Sequence, residues 1–350
     1  MTRDPLFPVP FRTLPRATMP WPPFALRLVA AVMLILLAMT GRPMAEGFPV
    51  TVPHALGETV IEARPERVLA LGRNDQDFLY ALGVAPVAVR EWWGEQPYAT
   101  WPWAEDARQA LGAEPEVLST PNANIEWIAA QQPDLILAVY EDINRRQYRA
   151  LSRIAPVVLW PAEYDAYRAP WQDQLRQTAL AVTGGTDAAD EIIAALDAKT
   201  AAIRAAHPEL EGRSGALADY RKGEVVLFAS DHAPSRFLAA LGLHLPEALE
   251  ERADRQGWIH VSPEELYLID LDVVVWPNGN RAAVEDLETY RMLKLHDEGR
   301  SIWLPGSTDT LAAALWFQSP LSLDYALDRI VPMLGAALDG DPETQAAPAD

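Results

Sequence analysis

Short apolar runs alternate with segments of helical periodicity along most of the chain. The strand-like runs span residues 67–71, 86–89, 134–139, 156–160, 224–229, 272–276 and 301–304. Segments such as 75–82 and 124–131 place apolar residues at helical spacing between these runs. Strands that alternate with helices indicate βαβ units and a mostly parallel sheet. Residues 51–54 and 59–62 precede them and predict a β-hairpin.

A helical region separates the first four strand-like runs from the last three. Residues 171–182 predict one helix, and a second is expected from Asp187 to about Ala206. Thr186 is the expected N-cap of the second helix, and Pro208 lies just beyond its end. We expect this long helix to be a strut between two halves of the molecule.

The last three runs repeat the pattern of the first four. Residues 77–83 (DFLYALG) match residues 236–242 (RFLAALG), and Asp134 and Asp272 precede apolar strands at matching places. The predicted fold class is therefore α/β, with two Rossmann-like lobes of mostly parallel sheets bridged by a single long helix. One long doubly wound sheet is the alternative that the length leaves open.

The N-terminus has the features of an export signal. Arginines and prolines precede an apolar run at 28–39, and residues 41–45 follow it like a processing site. This run is shorter than the roughly 20 residues that span a bilayer, and an uncleaved anchor is the alternative. The predicted boundaries are a signal peptide over 1–45, a first lobe over 46–168, a helical connector over 169–210, a second lobe over 211–340 and a disordered tail over 341–350.

Export makes the chain more acidic. Loss of residues 1–45, which contain five arginines and one aspartate, changes the formal net charge from −20 to −24. Such a surface repels nucleic acid and anionic membranes, so neither is an expected partner. The chain has no cysteine, which excludes a disulfide framework, a thiol nucleophile and a lipid-anchoring cysteine. We expect a soluble periplasmic monomer.

Aromatic residues are concentrated in residues 91–103 (EWWGEQPYATWPW), which contain four of the 12 tryptophans. Pro97, Pro102 and Gly94 argue against a continuous helix or strand, so we predict a loop. A loop that leaves a strand end lines the cleft when two parallel sheets face each other. The ligand contacts expected from the first lobe are Arg73, Arg90, Trp92, Trp93, Tyr98 and Trp101. Their rings would pack against a large flat guest, and the arginines would donate to its oxygens.

No familiar enzyme signature occurs in the sequence. It lacks the G-x-S-x-G elbow, the G-x-x-x-x-G-K-[ST] loop, the G-x-G-x-x-G turn and the H-E-x-x-H helix. The six histidines are scattered rather than spaced as metal ligands, so neither a resident metal nor a cofactor is expected. Carboxylates at Glu91, Glu95, Glu141 and Asp142 leave an exported glycoside hydrolase as an alternative.

The order of these segments resembles the periplasmic iron–siderophore binding proteins of ABC importers. The likeness rests on 65–71 (PERVLAL), 124–137 (NIEWIAAQQPDLIL), 262–266 (SPEEL), 270–274 (DLDVV) and 299–303 (GRSIW), and it covers about residues 48–338. It implies the class III binding-protein fold, with a shallow cleft and little closure. It also implies capture of a ferric siderophore of hydroxamate or ferric-citrate type and delivery to an inner-membrane ABC permease, without catalysis. A corrinoid or haem guest on the same scaffold is the alternative.

The resemblance implies particular cleft residues. Trp258 and Trp316 match cleft tryptophans of the family, and Tyr140 matches its cleft tyrosine. Ser119 and Thr120 stand where the hydroxamate binder has a cleft arginine, so one of the two arginines named above would substitute. Because the mature chain is acidic, a neutral chelate is easier to accommodate than an anionic one.

The resemblance also implies that an acid on each lobe docks to the permease. Asp77 fills the first place, whereas Arg236 stands in the second. The docking residues expected from the second lobe are therefore Glu247, Glu250 or Glu251.

Overall fold

The computed structural model describes residues 47–119 and 124–344. The predicted signal peptide, the segment 120–123 and the last residues of the predicted tail lie outside these ranges. Strands β1 (Val50–His54) and β2 (Gly57–Ile61) form the antiparallel hairpin that the sequence predicts. Within the described ranges, no helix combines the length and apolarity needed to cross a bilayer.

The first lobe contains a five-stranded sheet in which all neighbouring strands are parallel. Its strands are β3 (Val68–Ala70), β4 (Ala88–Arg90), β5 (Glu116–Leu118), β6 (Leu135–Ala138) and β7 (Val157–Leu159). They lie in the order β5–β4–β3–β6–β7. The helices of this lobe are α1 (Asp75–Ala81), α2 (Pro102–Ala110), α3 (Ile125–Ala130) and α4 (Arg145–Leu151). Every residue of β3, β4, β6 and β7 is buried, as expected for a parallel sheet covered on both faces.

Two helices connect the lobes, α5 (Trp171–Thr183) and α6 (Asp187–Ala206), and α6 confirms the predicted strut. Thr186 is the N-cap of α6, but its hydroxyl donates to Asp190 Oδ2 at 3.1 Å instead of capping a backbone N–H. Gly184 ends α5 with a φ of 80°. It lies so close to Gly47 that a Cβ there would be 2.7 Å from the Gly47 carbonyl oxygen, which only glycine permits.

The second lobe contains a mixed five-stranded sheet. Its strands are β8 (Gly215–Arg221), β9 (Glu224–Phe228), β10 (Trp258–Val261), β11 (Val273–Trp276) and β12 (Ser301–Trp303). They lie in the order β10–β9–β8–β11–β12, and β9 is antiparallel to both of its neighbours. The short helices of this lobe are α7 (Ala233–Ala240), α8 (Glu247–Glu250), α9 (Arg281–Glu285) and α10 (Lys294–Asp297). The sequence patterns missed β5, β8 and β10.

Helices α11 (Thr310–Phe317) and α12 (Pro320–Leu338) join the end of the chain to both lobes. Ser319 and Ser322 form a capping box at the start of α12. Leu315 and Leu327 belong to the large apolar cluster of the second lobe, whereas α12 also contacts α1 and α2 of the first. The C-terminal helices therefore bridge the lobes beside the strut.

The two sheets are fastened alike at their amino ends. Asp134, just before β6, accepts the backbone N–H groups of Glu66 (2.8 Å) and Arg67 (2.9 Å), which precede β3. Asp272, just before β11, accepts from the backbone N–H and the hydroxyl of Ser214, both at 2.8 Å, and Ser214 precedes β8. β8 is therefore the counterpart of β3, and the internal repeat is structural.

Candidate functional site

Two arginines converge on one carboxylate at the carboxyl ends of the first-lobe strands. Arg73 follows β3, Arg90 ends β4 and Glu141 follows β6. Arg73 Nε lies 3.0 Å and Arg90 Nη1 2.8 Å from the same oxygen, Glu141 Oε2. The Glu141 side chain is 11% exposed, so this group is shielded from bulk solvent. Two guanidinium groups therefore flank one carboxylate at this edge of the sheet.

Asp75 holds together the loops that carry this cluster. It is 1% exposed and accepts backbone N–H groups from Gly72 (3.0 Å), Val139 (3.0 Å) and Tyr140 (3.1 Å). Burial raises the pKa of Asp75 to about 7, although these three donors oppose the rise. A Cβ on Gly72 would lie 2.2 Å from Asp75 Oδ2, so glycine is required there. The sequence analysis did not identify this role of Asp75.

Aromatic rings surround the two arginines. The Arg73 guanidinium lies 5.1 Å from the ring centroid of Tyr167 and 5.8 Å from that of Trp92, both within cation–π range. Tyr140 packs against Tyr167 with a centroid separation of 5.1 Å and against Trp92 at 5.6 Å. Burial raises the pKa of Tyr140 to about 12, so its hydroxyl is a donor at neutral pH. Tyr167 was not among the predicted contacts, although it lies in a segment that leaves β7.

An open depression of about 450 Å³ adjoins this cluster. The residues that line it are Arg73, Arg90, Glu91, Trp92, Trp93, Gly94, Glu95 and Ser119. Four of the predicted ligand contacts therefore line one continuous surface. Glu91 contributes a buried Oε1 atom that has no hydrogen-bond partner among the described residues.

The aromatic segment 91–103 faces the second lobe. Trp92 and Trp93 each lie 5.2 Å, centroid to centroid, from Phe317 at the end of α11. Trp93 Nε1 donates to the carbonyl of Ser307 at 2.8 Å, and Asn74 Nδ2 donates to the carbonyl of Phe317 at 2.6 Å. These contacts place the loop at the seam between the lobes.

The prediction that 91–103 has no regular structure is wrong for its second half. Residues Pro97–Ala99 form a 3₁₀ turn, and Pro102 is the first residue of α2. Proline is favourable at that position because its missing N–H would have no intrahelical acceptor.

Two of the predicted first-lobe contacts lie elsewhere. Trp101 is 1% exposed and stacks on Trp103 with ring centroids 5.2 Å apart and an interplanar angle of 4°. It is a core residue, because a side chain so fully covered has no face left for a ligand. Tyr98 is exposed, with its ring 4.4 Å from the Arg108 guanidinium on α2.

The second lobe presents fewer rings. Trp258 begins β10 and is half-buried, with the Arg221 guanidinium 5.8 Å from its ring centroid. Trp316 lies on α11, half-buried, and packs edge-on against Phe228 at 5.1 Å. Both lie in segments predicted to border the cleft, and their role as ligand contacts stays a prediction.

Arg168 ties the two lobes together on another side. It pairs with Asp231 and donates to the carbonyl of Gln256 at 2.9 Å. A Cβ on Gly257 would lie 2.6 Å from Arg168 Nη1. The arginine therefore passes over the backbone just before β10, at a position that has no side chain. The sequence analysis did not predict this contact.

The expectation that Asp77 docks to a permease is wrong. Asp77 is 0% exposed, and its Oδ2 accepts from Trp103 Nε1 and from the hydroxyl of Ser319, both at 2.7 Å. A carboxylate enclosed in the seam between α1 and α12 cannot reach another protein. Burial raises its pKa to about 6, although the two hydrogen bonds oppose the rise.

The second-lobe acids differ in availability. Glu247 and Glu251 are exposed. The Glu250 carboxylate accepts from the backbone N–H of Ser230 at 3.0 Å and from its hydroxyl at 2.7 Å.

In residues 47–119 and 124–344, no group of three or more histidines and acids is arranged to hold a metal ion.

Two α/β lobes, a helical connector and a ring-lined charged depression of the first lobe beside the seam are features expected of a two-lobed solute-binding protein. Residues 68–295 match the family described as Periplasmic binding protein, and the chain belongs to this family. The predicted fold class is confirmed, with two α/β lobes joined by the long helix; the first sheet is parallel, whereas two of the four strand pairs in the second are antiparallel.

Curated relatives agree with the family. The chain is 27% identical over 232 residues to the probable siderophore-binding lipoprotein YfiY of Bacillus subtilis. The aligned region covers 65% of this chain and 68% of the relative. It is 28% identical over 241 residues to the ferric-anguibactin-binding protein FatB of Vibrio anguillarum, which covers 65% and 70%.

Solved structures share the fold. A periplasmic solute binding protein from Mycobacterium smegmatis is 32% identical and superimposes with a TM-score of 0.72 over 83% of this chain and 98% of its own. The Streptococcus pneumoniae protein PiaA in complex with ferrichrome is 24% identical, with a TM-score of 0.73 over 83% and 99%. The latter likeness concerns the fold alone.

Proposed function

We propose that this protein captures a ferric siderophore at the seam between its lobes and delivers it to an ABC permease of the inner membrane. The relatives that bind siderophores support this reading over a corrinoid, a haem or a polysaccharide. A glycoside hydrolase is further disfavoured because Glu141, one of its candidate carboxylates, is the shared counterion of two arginines. Iron is held by the oxygens of the chelator, and the protein binds the outside of the complex.

The observation that carries the substrate class is the pair of guanidinium groups on one Glu141 oxygen. The sequence favoured a neutral chelate because of the overall charge. At physiological ionic strength the Debye length is about 8 Å, so distant acids are largely screened while adjacent charges are not. Guanidinium groups also bind carboxylate and similar oxygens strongly. We therefore propose that the two guanidinium groups bind an anionic ferric chelate, against the opposing charges of Glu91 and Glu95 in the same lining, with Trp92, Tyr140 and Tyr167 packing against its body.

Titration of tryptophan fluorescence tests the proposal, because Trp92 and Trp93 line the depression. Arg90→Gln should weaken binding of an anionic ferric carboxylate or catecholate chelate by about 10- to 100-fold, as expected for loss of a charge-assisted hydrogen bond in a shielded site. Neutral ferric hydroxamates should be affected far less.

Arg153→Gln is the matched control, since Arg153 is an exposed arginine of the first lobe. Equal losses for anionic and neutral chelates would contradict the assigned charge class. Saturable binding of haem or cobalamin, with no response to any ferric siderophore, would contradict the function itself.

We also propose a monomer in the periplasm, with docking to the permease through exposed Glu247 and Glu251. Both are on or beside α8 of the second lobe, clear of the depression. Charge reversal at these two positions should abolish transport in cells while the purified protein keeps its chelate affinity. Reversal of Glu209, an exposed acid beside the end of α6, is the control.

A further inference from the structure

Tyr167 has a backbone conformation that is unusual for an aromatic residue. Its φ is 65°, in the left-handed region that L side chains rarely adopt. A residue held there is strained, and the strain persists only where the surrounding structure fixes the chain. Tyr167 lies in the turn between β7 and α5, and the next residue is Arg168. The contacts of these two side chains therefore decide whether the turn keeps its conformation.

The Tyr167 side chain belongs to the first-lobe arginine cluster. Its ring lies 5.1 Å from the Arg73 guanidinium. Its hydroxyl accepts the backbone N–H of Asp142 at 3.1 Å and donates to Glu141 Oε1 at 3.3 Å. The other oxygen of Glu141 is the one that both arginines share. Tyr167 therefore holds one face of Arg73 and the counterion of the cluster together.

The Arg168 side chain contacts the second lobe instead. Its guanidinium pairs with Asp231 and donates through Nη1 to the carbonyl of Gln256 at 2.9 Å. Its own carbonyl accepts from Arg236 Nη2 at 2.7 Å. A guanidinium can serve two acceptors at once because its donors form a planar fork, whereas an ammonium is a single centre. We call these contacts of Arg168 with Asp231, Gln256 and Arg236 the clasp.

We propose that Arg168 is a positioning residue of the chelate site. The clasp keeps Tyr167 in the left-handed conformation, and this conformation places the tyrosine ring on Arg73. The inference rests on the proposed function, because Arg73, Arg90 and Glu141 form the site proposed for the chelate. It extends that function, since a site built from first-lobe side chains depends on the second lobe for its geometry.

Fluorescence titration of Arg168→Ala with ferric citrate, an anionic chelate, tests the proposal. Without the clasp the turn relaxes to a negative φ and the ring leaves Arg73. Binding should weaken about 10-fold, as expected for loss of a cation–π contact in a shielded site. Arg168→Lys keeps the positive charge but not the fork, so it should lose affinity to a similar extent. Wild-type affinity in either variant would overturn the proposal.

Arg213→Ala is the matched control. Arg213 also joins a carboxylate and a backbone carbonyl, those of Asp272 at 3.3 Å and Glu209 at 3.4 Å. It lies before β8 within the second lobe and makes no contact with the turn at Tyr167. Its loss should leave the affinity for ferric citrate unchanged, and an equal loss in both variants would mean that any weakened second lobe impairs binding.

A double-mutant cycle shows whether Arg168 acts through Tyr167. Tyr167→Ala removes the ring, and in that background Arg168→Ala should weaken binding by less than about 2-fold more. If Arg168 touched the chelate itself, or acted only through its charge, its full effect would remain in the Tyr167→Ala background, and the positioning role would be wrong.

A second variant and a readout without ligand guard against a folding defect. Asp231→Ala removes one acceptor of the clasp and leaves Arg168 in place, so it should weaken binding by about 3-fold, the scale of a partly exposed ion pair. Thermal unfolding shows whether each variant is folded.

Crystal structures of unliganded wild type and Arg168→Ala should show Tyr167 with a positive φ in the first and a negative φ in the second. An unchanged Tyr167 in the variant would overturn the proposal even if affinity falls. Failure of wild type to bind ferric citrate or any other anionic ferric chelate would count against the proposed function, while the two structures would still decide the positioning of Tyr167.

Discussion

Asp134 and Asp272 fasten the amino ends of the two central strands in the same way, but the carboxyl ends are built differently. In the first lobe Asp75 binds three backbone N–H groups from two loops and fixes the arginine cluster between them. At the matching place of the repeat the second lobe has Pro234, which has no acceptor in its side chain. Its central strand β8 instead turns directly into the antiparallel strand β9. The repeat is kept where the sheet is anchored and abandoned where ligand contacts are expected.

Of the substitutions that test this comparison, Asp75→Ala should have the largest effect on stability and chelate binding. Three backbone donors would lose their acceptor, and each buried unsatisfied donor costs about 1–3 kcal/mol, partly relieved by water. We expect a loss of about 3 kcal/mol in the free energy of unfolding and at least 100-fold weaker chelate binding. Urea denaturation and fluorescence titration measure the two quantities.

Pro234→Ala provides the matched control for Asp75→Ala. It should change stability by less than about 1 kcal/mol and leave chelate affinity unaltered, because no loop depends on this side chain. If the two variants lose affinity alike, the asymmetry between the carboxyl ends has no functional meaning.

Asp77 and Arg236 occupy matching positions of the two lobes, so a pH dependence that comes from an acid at this position belongs to the first lobe alone. Burial raises the pKa of Asp77 to about 6 from an ordinary value of 3.8. Between these values the folded protein holds a proton that the unfolded chain releases, so the free energy of unfolding falls as pH rises from about 4 to 6. Asp77→Asn should remove about 1–3 kcal/mol of this fall.

Thermal unfolding of wild type and Asp77→Asn from pH 4 to 8 checks this prediction. Every other titratable group is common to both proteins, so the difference between the two curves isolates Asp77. Parallel curves would mean that Asp77 does not carry the raised pKa. Asp190→Asn, at an exposed position on α6, is the control for loss of an acid.

Glu141→Gln tests whether the first-lobe cluster is a receptor for negative charge. Removing the competing carboxylate should strengthen binding of an anionic ferric chelate by about 3- to 10-fold, and the affinity for a neutral chelate should stay within about 2-fold. Glu163→Gln, an exposed acid after β7, should change neither. A large loss of affinity for both chelates would show that Glu141 contacts the ligand as an acceptor.

Asp134→Ala and Asp272→Ala should have the smallest effects. Each removes hydrogen bonds that are exposed or only partly buried, worth about 1 kcal/mol of stability. Chelate affinity should not change in either variant, since both acids lie at the ends of the sheets opposite the depression. A selective loss of affinity in one of them would break the equivalence of the amino ends.

The sequence predicted those parts of the fold that have continuous apolar patterns. The strut and the buried strands β3, β6 and β11 follow from periodicity alone. β8 was missed because Gly215, Ala216, Ala218 and Asp219 have weak β propensity, and its neighbours in the sheet determine its conformation. Helix α2 is not evident from the sequence because proline can either break a helix or begin one, and here Pro102 is the first residue.

The candidate site was predicted in its residue types but not in its geometry. Arg73, Arg90, Trp92 and Trp93 line the depression, since strand order brings their loops to one edge. That Arg73 and Arg90 would share Glu141 could not be read from the chain, because it depends on the register of β3, β4 and β6. The burial of Asp77 likewise depends on α12, which lies at the far end of the sequence.

The packing of Phe317 has a consequence for how the polypeptide is made. Trp92, Trp93, Trp101 and Trp103 of the first lobe all contact this one ring, which is synthesised near the end of translation. Until then four indoles of the nascent chain lack their apolar cover. Truncation before α11 should therefore leave a fragment with exposed indoles that is prone to aggregate.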